Sequence, residues 1–185
     1  DPAKPPTFSP SRKPPMSVPV TTSVYLVDAY SDPVVVRICG RASFQNSACL
    51  RDFFVEMRRQ GKARFVLDFQ QCASMDSTFL GVIAGTALEL RKATPPGSLV
   101  VARIAPRNLE LIRNLGLHRL LTIDPGEPAA VFEKCDTVLK CADRSELESA
   151  RLVLEAHENL VSADEGNRAK FQDVLAFLKN RVEQR

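Results

Sequence analysis

A chain of 185 residues in which 44% of side chains are hydrophobic can build one ordinary domain with its own core and still have room for an appendage. Its 25 Lys and Arg against 22 Asp and Glu leave a formal net charge of only +3, with the two signs interspersed, which argues against nucleic acid as a main partner. No apolar run approaches the roughly 20 residues that a spanning helix needs and no charged-then-apolar leader opens the chain, so the expectation is a cytoplasmic protein without membrane insertion.

The first segment, DPAKPPTFSPSRKPPMSVPV, is rich in Pro, Ser and Lys and has almost no apolar periodicity, so burial cannot offset the entropy of ordering it. Residues 1–22 therefore read as a disordered arm. From Ser23 the character changes: SVYLVDAY and PVVVRIC are β-branched runs separated by Ser31-Asp32-Pro33, the signature of a hairpin. Gly40 breaks that pattern. Leu50, Phe53, Phe54 and Met57 then recur at helical spacing from Asn46, with Gly61 placed to end the helix. The short apolar run RFVLDF is of strand length and leads through CASMDST into a second helix along Leu80, Ile83, Ala84, Ala87 and Leu88 to about Lys92, closed by Pro95-Pro96-Gly97. SLVVARI is the next strand. Pro106 opens a third helix with the face Leu109, Ile112 and Leu115, stopped by Gly116. LLTID, a Pro-Gly-Glu-Pro turn and a helix near Ala129 to Leu139 complete the unit.

This alternation implies an α/β fold whose sheet is largely parallel after the first hairpin, with function expected at the carboxyl ends of the strands. Past Asp143 the pattern is purely helical. Ser145 and Glu148 form a capping-box signature ahead of Leu147, Ala150, Leu154 and Val161, and Asn167 precedes Phe171, Val174, Leu175, Leu178 and Val182. Two amphipathic helices joined around Ala163 to Gly166 need a partner surface, either the domain's own or that of another subunit.

Five cysteines (Cys39, Cys49, Cys72, Cys135 and Cys141) form no C-x-x-C pair, and only His118 and His157 could supply imidazole. The spacing supports neither a disulfide framework nor a zinc site, which leaves free, buried thiols, no metal and no cofactor as the reading.

Asp76-Ser77-Thr78 lies between a strand and a helix, where Asp, Ser and Thr are favoured caps for unpaired helix N–H groups. A nucleophilic serine is a second reading. It lacks a Gly-x-Ser-x-Gly elbow and has two histidines to choose a base from.

The segments VVVRICGRASFQNSACLRDFF, ARFVLDFQQCASMDSTFLGVIAG and SLVVARIAPRNLELIRNLGL closely resemble the STAS domain, the fold of bacterial anti-sigma factor antagonists. The most specific part is Met75-Asp76-Ser77-x-x-Leu80-Gly81 opening a helix after a strand; Pro106-Arg107 followed by Leu115-Gly116-Leu117 comes next. The resemblance implies a STAS fold over residues 23–142, with a mixed four- to five-stranded sheet packed against helices, and sets residues 143–185 apart as an added C-terminal helical pair. It also implies that Ser77 is phosphorylated by an anti-sigma factor that is itself a serine kinase, that a phosphatase resets it, and that the chain is not an enzyme. The implied partner-binding residues are Asp76, Thr78, Phe79, Arg41 and Ser43. Two positions depart from the family: Phe79 stands where a glycine is usual, and Gly40-Arg41-Ala42-Ser43 replaces Gly-x-x-Asp. The family also serves as a constitutive scaffold in transporter- or stressosome-like assemblies, and the extra helices suit that alternative, with homo-oligomers forming through them.

Overall fold

Side chains at every second position of a strand share a face, and here that alternation divides one sheet between two cores. The computed structural model describes residues 24–124 and 132–184, so the arm expected over residues 1–22 lies outside the described residues. Strands β1 (Tyr25–Asp28) and β2 (Val34–Ile38) form the expected antiparallel hairpin, Tyr25 opposite Ile38. They are followed by β3 (Gly40–Ala42), α1 (Ser47–Arg59), β4 (Arg64–Asp68), β5 (Cys72–Met75), α2 (Ser77–Lys92), β6 (Ser98–Ala102) and α3 (Pro106–Asn114). Then come β7 (Thr122–Asp124), β8 (Thr137–Val138), α4 (Glu146–Ala163) and α5 (Asn167–Glu183). The six-stranded sheet has the order β7-β6-β4-β2-β1-β8, parallel from β2 to β7 and antiparallel on both sides of β1, while β3 and β5 pair in parallel as a separate two-stranded ribbon.

Val34, Val36, Ile38, Phe65, Leu67, Phe69, Leu99 and Val101 face the helices and are buried. Leu50, Phe53, Phe54 and Met57 of α1 close over them, Phe54 meeting Phe65 edge-on at 5.4 Å between ring centres. The alternate residues Val35, Val66 and Ala102 form a smaller core on the opposite face with Phe132 and Cys135. At the carboxyl ends of the central strands this second face carries the buried Asp68. Its carboxylate accepts from Arg37 Nε at 3.1 Å and from Arg103 Nε at 3.0 Å, and the Arg103 guanidinium lies 4.1 Å from the centre of the Phe132 ring.

The α/β fold, the mixed sheet and the C-terminal pair accord with the sequence reading, but residues 132–139 depart from it. In place of a helix near Ala129 to Leu139, the chain forms β8 against β1, with Leu26 opposite Val138; residues 129–131 lie outside the described residues. The helical spacing in VFEKCDTVLK is overridden because Phe132 and Cys135 are drawn under the sheet, leaving Thr137 and Val138 extended along a free edge. This adds a sixth strand to the four or five expected. The same return corrects the reading of the cysteines: Cys141, just past β8, reaches the first turn of α1 and is joined to Cys49 in a disulfide, with Cα atoms 5.1 Å apart. Cys72 and Cys135 are free and buried, whereas Cys39 is half-buried.

The capping box forms as expected, with Ser145 and Glu148 exchanging bonds at the start of α4. The helix then lies along α2, and α5 folds back on α4. Leu152 and Leu160 join the main core, so the apolar stripe of α4 is covered within its own chain. This explains the composition of α2: FLGVIAGTALEL is apolar almost all round because the sheet covers one side and α4 the other.

Candidate functional site

The ribbon of β3 and β5 brings two distant segments to the amino end of α2. Pairing of Ala42 with Met75 places the loop after β3 beside the motif, and the Asp76 N–H donates to the Ala42 carbonyl at 3.1 Å. Asp76 is the N-cap of α2: its Oδ1 accepts from the Phe79 N–H at 2.9 Å, while its Oδ2 accepts from the Phe44 N–H at 2.7 Å. One carboxylate thus starts the helix and pins the neighbouring loop.

Ser77 is the first residue of α2, so the cap is its neighbour and its own hydroxyl is free of that duty. The half-buried Oγ lies 2.9 Å from Nε2 of His157 on α4. The other ring nitrogen, Nδ1, is 2.7 Å from the Val153 carbonyl, which can only accept. Nδ1 therefore carries a proton and, in the neutral tautomer, Nε2 accepts from the Ser77 hydroxyl. His157 is 4% exposed, with the Phe171 ring of α5 edge-on at 5.0 Å. Beside Ser77 opens a largely apolar cleft of about 550 Å³, walled by Met75, Leu80, Leu111, Leu115 and Phe171, with Lys170 at its edge. His157 does not line it, and its Nδ1 is oriented by a main-chain carbonyl rather than a carboxylate. The constellation lacks both the reach and the third member of a nucleophile–base–orienter set.

The residues expected on the contact face divide. Arg41 is exposed, and Asp76 and Ser77 are half-buried beside it. Ser43, Thr78 and Phe79 are corrected to the interior. The Ser43 carbonyl accepts from Ser47 Oγ at 2.6 Å and its N–H donates to Asn46 Oδ1 at 3.0 Å, which shapes the loop ahead of α1. Phe79 has no exposed surface. Its ring stacks on Tyr25 at 6.5 Å and meets Phe69 edge-on at 6.3 Å. Burial pushes the Tyr25 hydroxyl well above its ordinary pKa, and Asn46 Oδ1 accepts from it at 2.9 Å. Phe44, 49% exposed and passed over by the sequence reading, belongs to this neighbourhood, and so does His157, which that reading names only as one of two available imidazoles. The signal for His157 is a polar ring within the apolar stripe of a helix, three residues past Leu154 and four before Val161.

Among the described residues no helix is long and apolar enough to cross a membrane, and no three His, Cys, Asp or Glu side chains come together as a metal-ligating group. A family model described as Mlab, STAS domain matches residues 26–122. Solved structures with a similar backbone include the anti-sigma factor antagonist SpoIIAA in its unphosphorylated form, 16% identical, with a TM-score of 0.48 over 60% of this chain and 96% of that one. The Bacillus cell fate determinant SpoIIAA in its phosphorylated form is 19% identical, with a TM-score of 0.47 over 58% of this chain and 96% of that one. A candidate anti-sigma factor antagonist from Thermotoga maritima is 17% identical, with a TM-score of 0.49 over 59% and 92% respectively. The fold assignment rests on the family match and on the strand order above. Helices α4 and α5 lie beyond the matched residues.

Proposed function

The chain belongs to the STAS domain family, and from that premise we propose that it is a phosphorylation-controlled binding module of the anti-sigma factor antagonist type, with Ser77 as the phosphoacceptor. One observation carries the reading: Asp76 caps α2, so the Ser77 hydroxyl at the helix amino end can be esterified without loss of the cap. A phosphoryl group there would add a charge of about −1.5 to −2 and three acceptor oxygens. The helix dipole tolerates that charge. A protein surface packed against Arg41, Phe44 and the amino end of α2 would have to accommodate it next to Asp76, which is the basis for switching partners. The partners on this reading are a serine kinase that is also the anti-sigma factor, and a phosphatase that restores the hydroxyl. The module contributes no catalytic residue and no cofactor.

The test is phosphopeptide mass spectrometry on the protein isolated from the cells that make it, combined with capture of bound proteins by the wild type, S77A and S77D. Phosphate on Ser77, with one partner retained by S77A and lost by S77D, is the expected result. Identical captures by both variants, with no phosphate at Ser77, would overturn it.

A second reading has its own observation: α4 already lies on the α2 face beside Ser77, as in a finished structural subunit. In a constitutive scaffold, captured partners would be the same for wild type, S77A and S77D, and deletion of residues 143–185 would change the mass of the assembly measured by light scattering.

A further inference from the structure

Helix α4 approaches α2 closely at two glycines. A Cβ added at Gly81 would stand 2.7 Å from the Ala156 Cβ and nearer still to the Ala156 carbonyl, a backbone group that cannot swing aside. One turn on, a Cβ at Gly85 would stand 2.8 Å from Cγ of Asn159, whose amide donates to the Gly81 carbonyl at 3.2 Å. One turn before, His157 holds the Ser77 hydroxyl. Small residues therefore seat α4 so close that its His157 reaches Ser77 and leaves that serine half-buried.

The attachment is polar as well as apolar, and it is spread over surfaces that belong to the family domain. Asn167, 1% exposed, donates to the Leu115 carbonyl at 2.9 Å and to the Leu160 carbonyl at 2.8 Å, tying the α4–α5 turn to the end of α3. Lys170 Nζ donates to the Asn114 carbonyl at 2.6 Å. Midway along α4, Glu155 pairs with Arg51 at 3.0 Å, and Arg144, just before the helix, pairs with Asp52 of α1. Past β8, only the short stretch from Leu139 to Ser145 leads into this helical pair.

We propose that α4 and α5 form an intramolecular clasp over the phosphoacceptor: the closed form shields Ser77, and a kinase or partner gains it only when α4 lifts from Gly81 and Gly85. This deepens, and rests on, the reading of Ser77 as the modified residue. A half-buried serine whose hydroxyl donates to a buried ring on a neighbouring helix cannot be placed in a kinase active site, because the enzyme must surround the acceptor with its own chain. The same geometry makes the clasp sensitive to the modification. An esterified Oγ has no proton to give Nε2, so phosphorylation would remove the bond that ties Ser77 to α4 and favour the open form.

Gly81→Ala tests this without weakening α2, since alanine is the better helix former, and A156L widens the same contact from the α4 side. Each is combined with S77C, and the rate of alkylation at position 77 by iodoacetamide is read by peptide mass spectrometry under non-reducing conditions. Hydrogen exchange follows the amides of α4, α5 and the sheet. With G81A or A156L, alkylation should rise by about tenfold or more over S77C alone, with faster exchange in α4 and α5 and unchanged protection of β2, β4 and β6. An unchanged alkylation rate while α4 exchanges faster, or loss of sheet protection together with α4, would overturn the clasp. Neither readout needs a kinase. If alkylation rises but Ser77 carries no phosphate in cells even with G81A, the clasp stands and the phosphoacceptor reading falls.

Discussion

Asp76 should prove to be a residue of the fold before it is one of recognition. In D76A two main-chain donors lose their acceptor: Phe79 N–H at the helix start and Phe44 N–H in the loop after β3. Loss of an Asp N-cap costs about 1 kcal/mol. The bond to Phe44 is charge-assisted and ordinarily worth about 1.5–3 kcal/mol, but it lies at an exposed position where water replaces the carboxylate, so about 1 kcal/mol is the appropriate figure. The sum, about 2 kcal/mol, corresponds to a fall of about 4–8 °C in Tm for a domain of this size. D76N separates the two bonds. Its carbonyl oxygen can still accept from Phe79, whereas its amide nitrogen cannot accept from Phe44, so about half the loss should remain. Urea and thermal unfolding of the three proteins measure this. Equal losses in D76A and D76N, or a D76A protein within about 0.5 kcal/mol of wild type, would refute the double role. If the ordering holds, altered partner binding in Asp76 variants reports on the shape of the loop as much as on charge.

Phe79 occupies a sealed aromatic stack, so F79A should cost about 3–5 kcal/mol in urea unfolding, and F79G, which restores the residue usual in the family, at least as much. Burial pushes the Asp68 carboxyl up, but the bonds from Arg103, the Gln70 N–H and Arg37 outweigh it and hold the folded value below the ordinary 3.8. Its contribution is therefore fully present above about pH 4 and is lost as pH falls through the lower folded value; the stability gap between wild type and D68N should be constant from pH 5 to 7 and shrink in acid melts. Burial raises the Cys72 thiol to about 11, so iodoacetamide at about pH 8 should label the half-buried Cys39 first and reach Cys72 only in urea. Reduction of the Cys49–Cys141 bond, which spans 92 residues, should lower stability by about 2–4 kcal/mol, read as a lower Tm with dithiothreitol.

Much of this architecture is legible in the sequence because it is local. The stripe of α1, the Ser145 capping box and the β-branched hairpin each specify themselves within one short continuous segment, and each forms as read. Strand β5 is hidden because CASM is short and, among the described residues, its only ladder is with β3, more than 25 residues earlier. Strand β8 was hidden because the spacing of Phe132, Cys135 and Leu139 suits a helix until a sheet edge and a second core compete for the same residues. The disulfide follows from that return, so no count of cysteines could reveal it.

The candidate site shows the difference between what sequence logic left unread and what it could not reach. His157 lies 80 residues from Ser77, and nothing in the spacing of either pairs them. The direction of Phe79 is another matter. A helix turns about 100° per residue, so side chains two apart point about 200° away from each other. If Ser77 faces outward, Phe79 must face the sheet, and Thr78 the flank. Replacement of the family's glycine by phenylalanine is then a change in how α2 rests on Tyr25 and Phe69, not in what a partner touches. A similar argument applies to Gly81, which lies four residues past Ser77 and so shares its face: a side chain there would stand between α2 and whatever covers Ser77. On the proposed reading of Ser77 as phosphoacceptor, control over this serine is to be sought one turn along the helix, at Gly81 and Ala156, rather than at the aromatic residue beside it.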